Sequence, residues 1–247
     1  MFHVYLLLYI RLNLGDPQQL NPFLGQHMSG YLTEEVRATK AILEASVMDF
    51  VLSYYPRNYV QLNVCYRGSE ALFGVVFDAV YGKNTIKFKK PTENRTPIEL
   101  YEVTTGAELK ERSYFNREHV PVIARICETL VPENQDQRVI NTVILTPYVA
   151  QKLFLQESLP DARIPVFTID SFLGKQADNV IISLPSNHLG FLTDEIDKTT
   201  SMMYNRRMLV MATRAKKRIV VVSSLFTIDA EHLVRKFLYD NASVIKR

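Results

Sequence analysis

Apolar positions along this 247-residue chain recur in two rhythms. Short aliphatic and β-branched runs alternate with stretches in which apolar residues return at helical spacing. The runs HVYLLLYI, VQLNVCYR, IELYEV, TVILT, PVFTID, NVIISL and RIVVVSS read as strands, the last as the final one. Between them Thr33 can cap a helix carrying Val36, Leu43, Val47, Phe50 and Val51. A second helix passes through Phe73 and Phe77 to Gly82. Lys83 to Arg95, basic and polar with Pro91, reads as a surface loop or insertion. Asn116 is a good N-cap for REHVPVIARICETL, with Pro121 in the first turn. After TVILT, Thr146 is expected as the cap and Pro147 as the first residue of the next helix. Ser201 to Ala215 is expected as one helix, and an amphipathic helix ends the chain. The alternation predicts an α/β fold, a parallel sheet covered by helices on both faces. Ligands of such sheets sit at the carboxyl ends of strands. Gly15, Arg67, Thr146, Asp170 and the loop after it all fall at predicted strand ends and are candidates to converge on one edge.

Composition adds limits. Apolar residues make up 47% and charged residues 22%, an ordinary globular balance that needs no disulfide or metal staple. Net charge is +3, too small to define a polyanion partner. Its distribution is uneven: Lys87, Lys89 and Lys90 form one cluster, and Arg206, Arg207, Arg214, Lys216, Lys217 and Arg218 another. A solvated face is the favoured reading of both. Cys65 and Cys127 lie far apart in apolar surroundings and read as reduced core residues of an intracellular protein, cytoplasmic or nuclear. The five histidines lack metal-ligand spacing, so no metal site is expected. MFHVYLLLYI is too short to span a bilayer and lacks the charged start of a leader, so a buried strand is expected there and no membrane partner.

Some short segments carry chemistry. Gly15-Asp16-Pro17 offers a tight turn, and Gln19 after it can donate to a phosphate oxygen or orient a water. Arg207 and Arg214, seven residues apart, would share a helix face, where two arginines neutralise a transferring phosphoryl group as well as they answer a helix dipole. A helix beginning at Pro147 would present free amides to a backbone phosphate. Short polar side chains at strand ends bond phosphate or sugar, giving salt-dependent contacts with little sequence preference. Tyr148 is placed to stack on a base or to pack.

In order along the chain stand GDPQQLNP, CYRGSEALFGVVFDAVYG, SYFNREHV, VILTPYVAQ, FTIDSFLGKQADNVIIS and RRMLVMATRAKKRIVVVSS. This series resembles the second, C-terminal RecA-like domain of superfamily-1 helicases, in the branch of the nonsense-mediated mRNA decay helicase and its relatives. It covers residues 15 to about 226. The resemblance implies a RecA-like, P-loop NTPase-type sheet. Residues 1–25 would be a remnant of the first RecA-like domain, its last strand and sensor loop, and 26–247 the second domain. It also implies that Gln19 senses the ATP γ-phosphate, that Arg67 and Arg214 reach across to it, and that Gly15, Asp16, Gly174 and Gln176 adjoin the nucleotide. Thr146, Pro147, Tyr148 and Gln151, with Thr168, Asp170 and Ser171, would contact single-stranded RNA or DNA.

The sequence departs from the family pattern at several places. Leu173-Gly174-Lys175-Gln176 stands where Gln-Gly-Arg-Glu is usual, Leu209 replaces an asparagine, Asn21 a proline and Gly68 a methionine. Each is expected to weaken a polar contact at the ATP cleft. No GxxxxGK[ST] loop occurs in the 247 residues, and no Asp-Glu pair precedes Gly15. The chain is therefore expected to be half of a motor, an ATP-dependent helicase only together with a first RecA-like domain. ATP and magnesium would be used in that longer form and neither by this chain alone. Alanine at Arg214 in the longer form is expected to abolish turnover with little loss of fold stability. The alternative is a catalytically dead, stand-alone RecA-like module that binds nucleic acid or another protein.

Overall fold

The β-branched runs form the strands their composition calls for, and the helices between them cover both faces. The computed structural model describes residues 52–55, 60–90, 98–103, 106–130, 141–160, 163–186, 190–192, 195–196, 203–224, 232–240, 242 and 244–246. The chain divides into two compact units, Met1–Gln61 and Leu62–Arg247. The first strand, the helix from Thr33 and the boundary expected near residue 25 lie outside the described residues.

The elements of the second unit are β1 (Val64–Cys65), α1 (Glu70–Tyr81), β2 (Lys87–Phe88), β3 (Ile98–Glu102), β4 (Glu108–Lys110), β5 (Ser113–Phe115), α2 (His119–Leu130), β6 (Thr142–Thr146) and α3 (Val149–Ser158). Then come β7 (Val166–Thr168), β8 (Ala177–Leu184), β9 (Glu195–Ile196), β10 (Met203–Tyr204), α4 (Arg206–Ala212), β11 (Ala215–Ser223), α5 (Leu233–Arg235) and β12 (Val244–Lys246). Six strands form one sheet in the order β12-β3-β11-β8-β6-β7, and every pairing in it is parallel. The chain is thus an α/β protein of the RecA-like type, with continuous apolar strands buried on both faces.

Alternation along β11 shows how the two layers form. Val220 and Val222 join Ile144, Ile181 and Val166 in a cluster with Ile123, Ile126 and Cys127 of α2 and Leu155 of α3. Ile219 and Val221, also fully buried, take the opposite face, where α1 packs against β11 and α4. Near its start β11 carries an extra residue: Ala215 pairs with Ala177 but Arg218 with Asn179, three residues against two. Such a bulge bends the strand and re-aims the side chains beside it.

Several local expectations change. The Lys83–Arg95 stretch is not only loop, because Lys87 and Phe88 pair in parallel with Val64 and Cys65. The helix expected over Ser201–Ala215 is only Arg206–Ala212, preceded by the strand Met203–Tyr204. Asn205, whose side chain accepts from the Met208 amide, fixes its start. Arg214 therefore lies beyond the helix and shares no helix face with Arg207. Thr146 is still strand, its carbonyl accepting from Ile169 N at 3.1 Å, so it does not cap α3. Tyr148 is the N-cap, and Pro147 stands before it rather than at the first helical position. β11 is not the last strand: the chain passes through α5 and a π-helical turn to Asp240, and β12 then adds to the sheet beside β3. The β4–β5 hairpin has no counterpart in the predicted elements. Its turn holds Glu111 and Arg112 at φ 48° and 67°, a left-handed pair normally marked by Asn or Gly.

Candidate functional site

The chain after α4 brings two arginines onto one threonine. The Arg67 Nη1 donates to the Thr213 carbonyl at 2.7 Å. Arg214 donates from Nε to the Val210 carbonyl at 2.9 Å, from Nη2 to Thr213 Oγ1 at 3.0 Å and from Nη1 to the Lys175 carbonyl at 3.5 Å. Thr213 Oγ1 in turn donates to the Leu209 carbonyl at 2.7 Å. Arg67 is half-buried and Arg214 only 2% exposed. Desolvating a guanidinium is costly, so these bonds fix Arg214 tightly, and its removal would leave a cavity where a large, fully buried side chain stood. The expectation that Arg214→Ala spares the fold is therefore corrected.

Gly174, Lys175 and Gln176, all exposed, lead into β8 beside Arg214, whose carbonyl accepts from Ala177 N at 3.1 Å. Gly174 has φ +78°, a conformation suited to glycine. Lys175 Nζ sits 4.8 Å over the Phe167 ring. Of the departures from the family pattern, Leu173 and Gln176 are exposed at this end, whereas Leu209 is fully buried in α4. The asparagine-to-leucine change thus falls in the core and removes no contact from an open cleft. Gly68 is also structural: a Cβ there would stand 2.7 Å from the Phe73 ring, which fills the space a larger residue would take.

At the other end of the sheet, Thr146 and Thr168 are the paired last residues of β6 and β7. Thr168 Oγ1 donates to Ser171 Oγ at 3.0 Å and accepts from Ser171 N at 3.3 Å. Asp170 pairs with Arg207 at 3.2 Å. Asp170 and Ser171 are exposed and accessible to a ligand. Thr146 and Pro147 are buried. Tyr148 is 4% exposed and packs edge-on against Tyr114 at 5.4 Å, and its burial pushes the phenol pKa up. A Cβ at Gly190, where φ is +50°, would run into the Tyr148 hydroxyl. In the first turn of α3 the Ala150 amide already donates to Ser113 Oγ at 3.0 Å.

The expected convergence on one edge is therefore corrected. Arg214 and residues 174–176 lie where β8 and β11 begin, with Arg67 held to Thr213 beside them; Thr146 and Thr168 lie where β6 and β7 end. Thr146 and the start of β8 are thus well separated along the sheet, but the 3-10 turn Asp170–Phe172 leads straight into Gly174, so Ser171 lies within about 11 Å of it. Gly15, Asp16 and Gln19 lie outside the described residues.

Gln151 belongs to a buried network that the sequence pattern does not assemble. Its Oε1 accepts from Asn116 N at 2.7 Å and its Nε2 donates to Ser183 Oγ at 2.9 Å. His119 bridges Ser183 Oγ at 2.9 Å and Ser224 Oγ at 3.0 Å, and Asn116 Nδ2 donates to Ser224 Oγ at 3.1 Å. Burial lowers the His119 pKa to about 3, so the imidazole is neutral. The signal was present as serines closing the apolar runs NVIISL and VVVSS, where a parallel strand leaves the sheet and its polar groups need partners.

The donor chemistry bears on a nucleotide triphosphate. Arg67, half-buried, has a guanidinium that can meet a phosphoryl group, whereas Arg214 at 2% exposure has its donors on protein groups. No group of three or more His, Cys, Asp or Glu able to hold a metal occurs among the described residues, and none of their helices is long and apolar enough to cross a membrane.

A family model described as an AAA domain matches residues 43–225. The chain belongs to this family, as a RecA-like domain of the superfamily-1 helicase type. It is 27% identical over 237 residues to the probable helicase senataxin of Mus musculus, and equally to that of Homo sapiens, with 87% of this chain aligned. It is 26% identical over 251 residues to the DNA polymerase alpha-associated DNA helicase A of Saccharomyces cerevisiae, with 85% of this chain aligned. It spans 8% of senataxin's length and 33% of the yeast helicase's. The C-terminal domain of a possible DNA helicase from Lactobacillus plantarum aligns over 72% of this chain and 98% of its own, at 12% identity and a TM-score of 0.43. That likeness is loose, and the fold class rests on the parallel sheet itself.

Proposed function

We propose that this domain is the C-terminal half of an intracellular, ATP-dependent helicase acting on RNA or DNA. It supplies Arg67 and Arg214 to the phosphoryl end of ATP bound by a first RecA-like domain. Thr168, Asp170 and Ser171 touch a nucleic-acid strand beyond the end of β7. Thr146, Pro147, Tyr148 and Gln151 act on that strand mainly by shaping the turn below it. Gln19, Gly15, Asp16, Gly174 and Gln176 complete the nucleotide side, and magnesium ligands come from the other domain.

The observation that carries this reading is the pair of guanidinium groups anchored on Thr213. Planar cations held by carbonyls and a hydroxyl keep their charge while their position is fixed, as stabilisation of a charged transition state requires. ATP, when bound, supplies the phosphoryl chemistry; this chain's part is to hold those cations and the strand. On this account the 247-residue chain alone turns over no ATP.

The test uses a form that includes a phosphate-loop domain. Arg67→Ala and Arg214→Lys are expected to lower ATP turnover by about 10³-fold or more while single-strand binding persists. Turnover within threefold of the parent for both variants would sink the assignment. A stand-alone binding module is the second reading, favoured by Leu173 and Gln176 facing solvent beside Arg214 where polar and charged residues would serve a nucleotide better. It requires strand binding indifferent to ATP in every form of the protein.

A further inference from the structure

The basic residues from Arg206 to Arg218 read in the sequence as one solvated face, and the fold draws three of them into ion pairs. Lys217 pairs with Asp178 at 2.7 Å and Arg218 with Glu99 at 2.6 Å, each joining β11 to a strand beside it in the sheet. Arg207 pairs with Asp170 at 3.2 Å, and this pair joins elements that are not neighbours. Arg207 lies in the first turn of α4, which leads into β11. Asp170 opens the turn after β7, a strand three places from β11 in the sheet order.

A second tie closes a ring with the first. The connection that starts at Asp170 ends against Arg214: Arg214 Nη1 donates to the Lys175 carbonyl at 3.5 Å, and Ala177 N to the Arg214 carbonyl at 3.1 Å. Between Arg207 and Arg214 runs α4, whose residues Met208 to Ala212 are all fully buried, and a helix packed so densely shifts as one piece. Arg207 and Thr213 stand at its two ends, about 9 Å apart. Thr213 holds Arg67 on its carbonyl and Arg214 on its hydroxyl, so a pull on Arg207 reaches the atoms that hold Arg67. The turn that Asp170 opens also carries the exposed Ser171. A phosphate resting there adds negative charge beside Asp170 and raises the attraction between the turn and the Arg207 guanidinium. The two side chains are 24% and 48% exposed, and an ion pair so open to water is weak enough for one added charge to change how firmly it is made.

We propose that Arg207 is a positioning residue for phosphoryl transfer: its pair with Asp170 ties the strand-side turn to α4, so that a strand in the turn draws α4 and sets Arg67 at the phosphoryl group. Arg207 itself touches neither the nucleotide nor the reacting atoms. The role rests on the proposed helicase function and names the residue through which an occupied turn regulates turnover. Lys217 and Arg218 have no such role, because their pairs fasten adjacent strands of one sheet.

The test is ATP turnover measured against the concentration of oligo(U) or oligo(dT), in a form that includes a phosphate-loop domain. The curve separates three quantities: the basal rate, the maximal stimulated rate and the half-saturating strand concentration. Arg207→Gln is expected to keep the basal rate within about twofold of the parent and to lower the maximal stimulated rate roughly fivefold. Arg207→Lys, which keeps the charge, should recover most of that stimulation. Lys217→Gln, which removes a paired cation without touching the ring of ties, serves as the charge control and should match the parent. An unchanged curve for Arg207→Gln would overturn the proposal. So would a raised half-saturating concentration at the parent's maximum, which would make Arg207 a strand contact only. Equal loss of the basal and stimulated rates would also overturn it, because a structural defect lowers both. A parent whose turnover ignores the strand would overturn the helicase reading and this role with it, and the parent's own curve tells that failure from the others.

Discussion

Arg67 and Arg214 reach Thr213 from far apart in sequence, one taking its carbonyl and the other its hydroxyl. The carbonyl survives any substitution, and the hydroxyl does not. Thr213→Val keeps the shape and the backbone bond to the Leu209 carbonyl but leaves a buried guanidinium N–H of Arg214 without its partner, a loss of about 1–3 kcal/mol. Thr213→Ser should recover most of it, and urea denaturation of the two variants decides the matter. Equal midpoints for Thr213→Val and the parent would mean the hydroxyl anchors nothing. His119 is the other residue with a measurable consequence. Its pKa falls from 6.5 to about 3 on folding, so above pH 6.5 both states are neutral and its contribution is complete. As pH falls toward 3 the unfolded chain takes up a proton that the folded chain refuses, and stability is lost. From pH 6.5 to 5 this loss is about 2 kcal/mol. The parent should lose that much more over this interval than His119→Gln does, and identical pH dependence would mean the ring is not held neutral.

Elements set where these residues go. α4 is short because Asn205 caps it at one end and Thr213 closes it at the other, and that closure puts Arg214 at the head of β11. The strands of the main sheet were legible in the sequence because buried parallel strands are near-continuous apolar runs, as in TVILT and RIVVVSS. Boundaries set by side-chain capping were less so: Thr146-Pro147 looks like a helix start, but Thr146 is occupied in the sheet. The hairpin at residues 108–115 was hidden because Glu111 and Arg112 occupy the left-handed turn that Asn-Gly would have advertised. The network around Gln151 joins residues from four segments, and spacing carries no trace of contacts made between them. At Gly68 the departure from the family pattern is matched by packing. Gly68→Met would drive its Cβ into the Phe73 ring and is expected to cost about 1–3 kcal/mol, read as a lower urea midpoint. An unchanged midpoint would mean the ring moves freely and the glycine is incidental.

At the scale of the molecule, one short connection, Asp170 to Gln176, joins the end of β7 to the start of β8. The arginine pair lies where β8 and β11 begin, and the polar loop after β7 lies where strands end. On the proposed function, such a domain would serve a nucleotide and a strand from the two ends of the short Asp170–Gln176 connection. The arrangement makes nucleotide turnover and strand binding separable: the first needs a phosphate loop that these 247 residues do not contain, and the second does not. The most direct measurement is therefore ATP hydrolysis by the 247-residue chain, with and without a single-stranded oligonucleotide that it binds. The account predicts salt-sensitive binding and hydrolysis no faster than the protein-free blank. Strand-stimulated hydrolysis by this chain would contradict it.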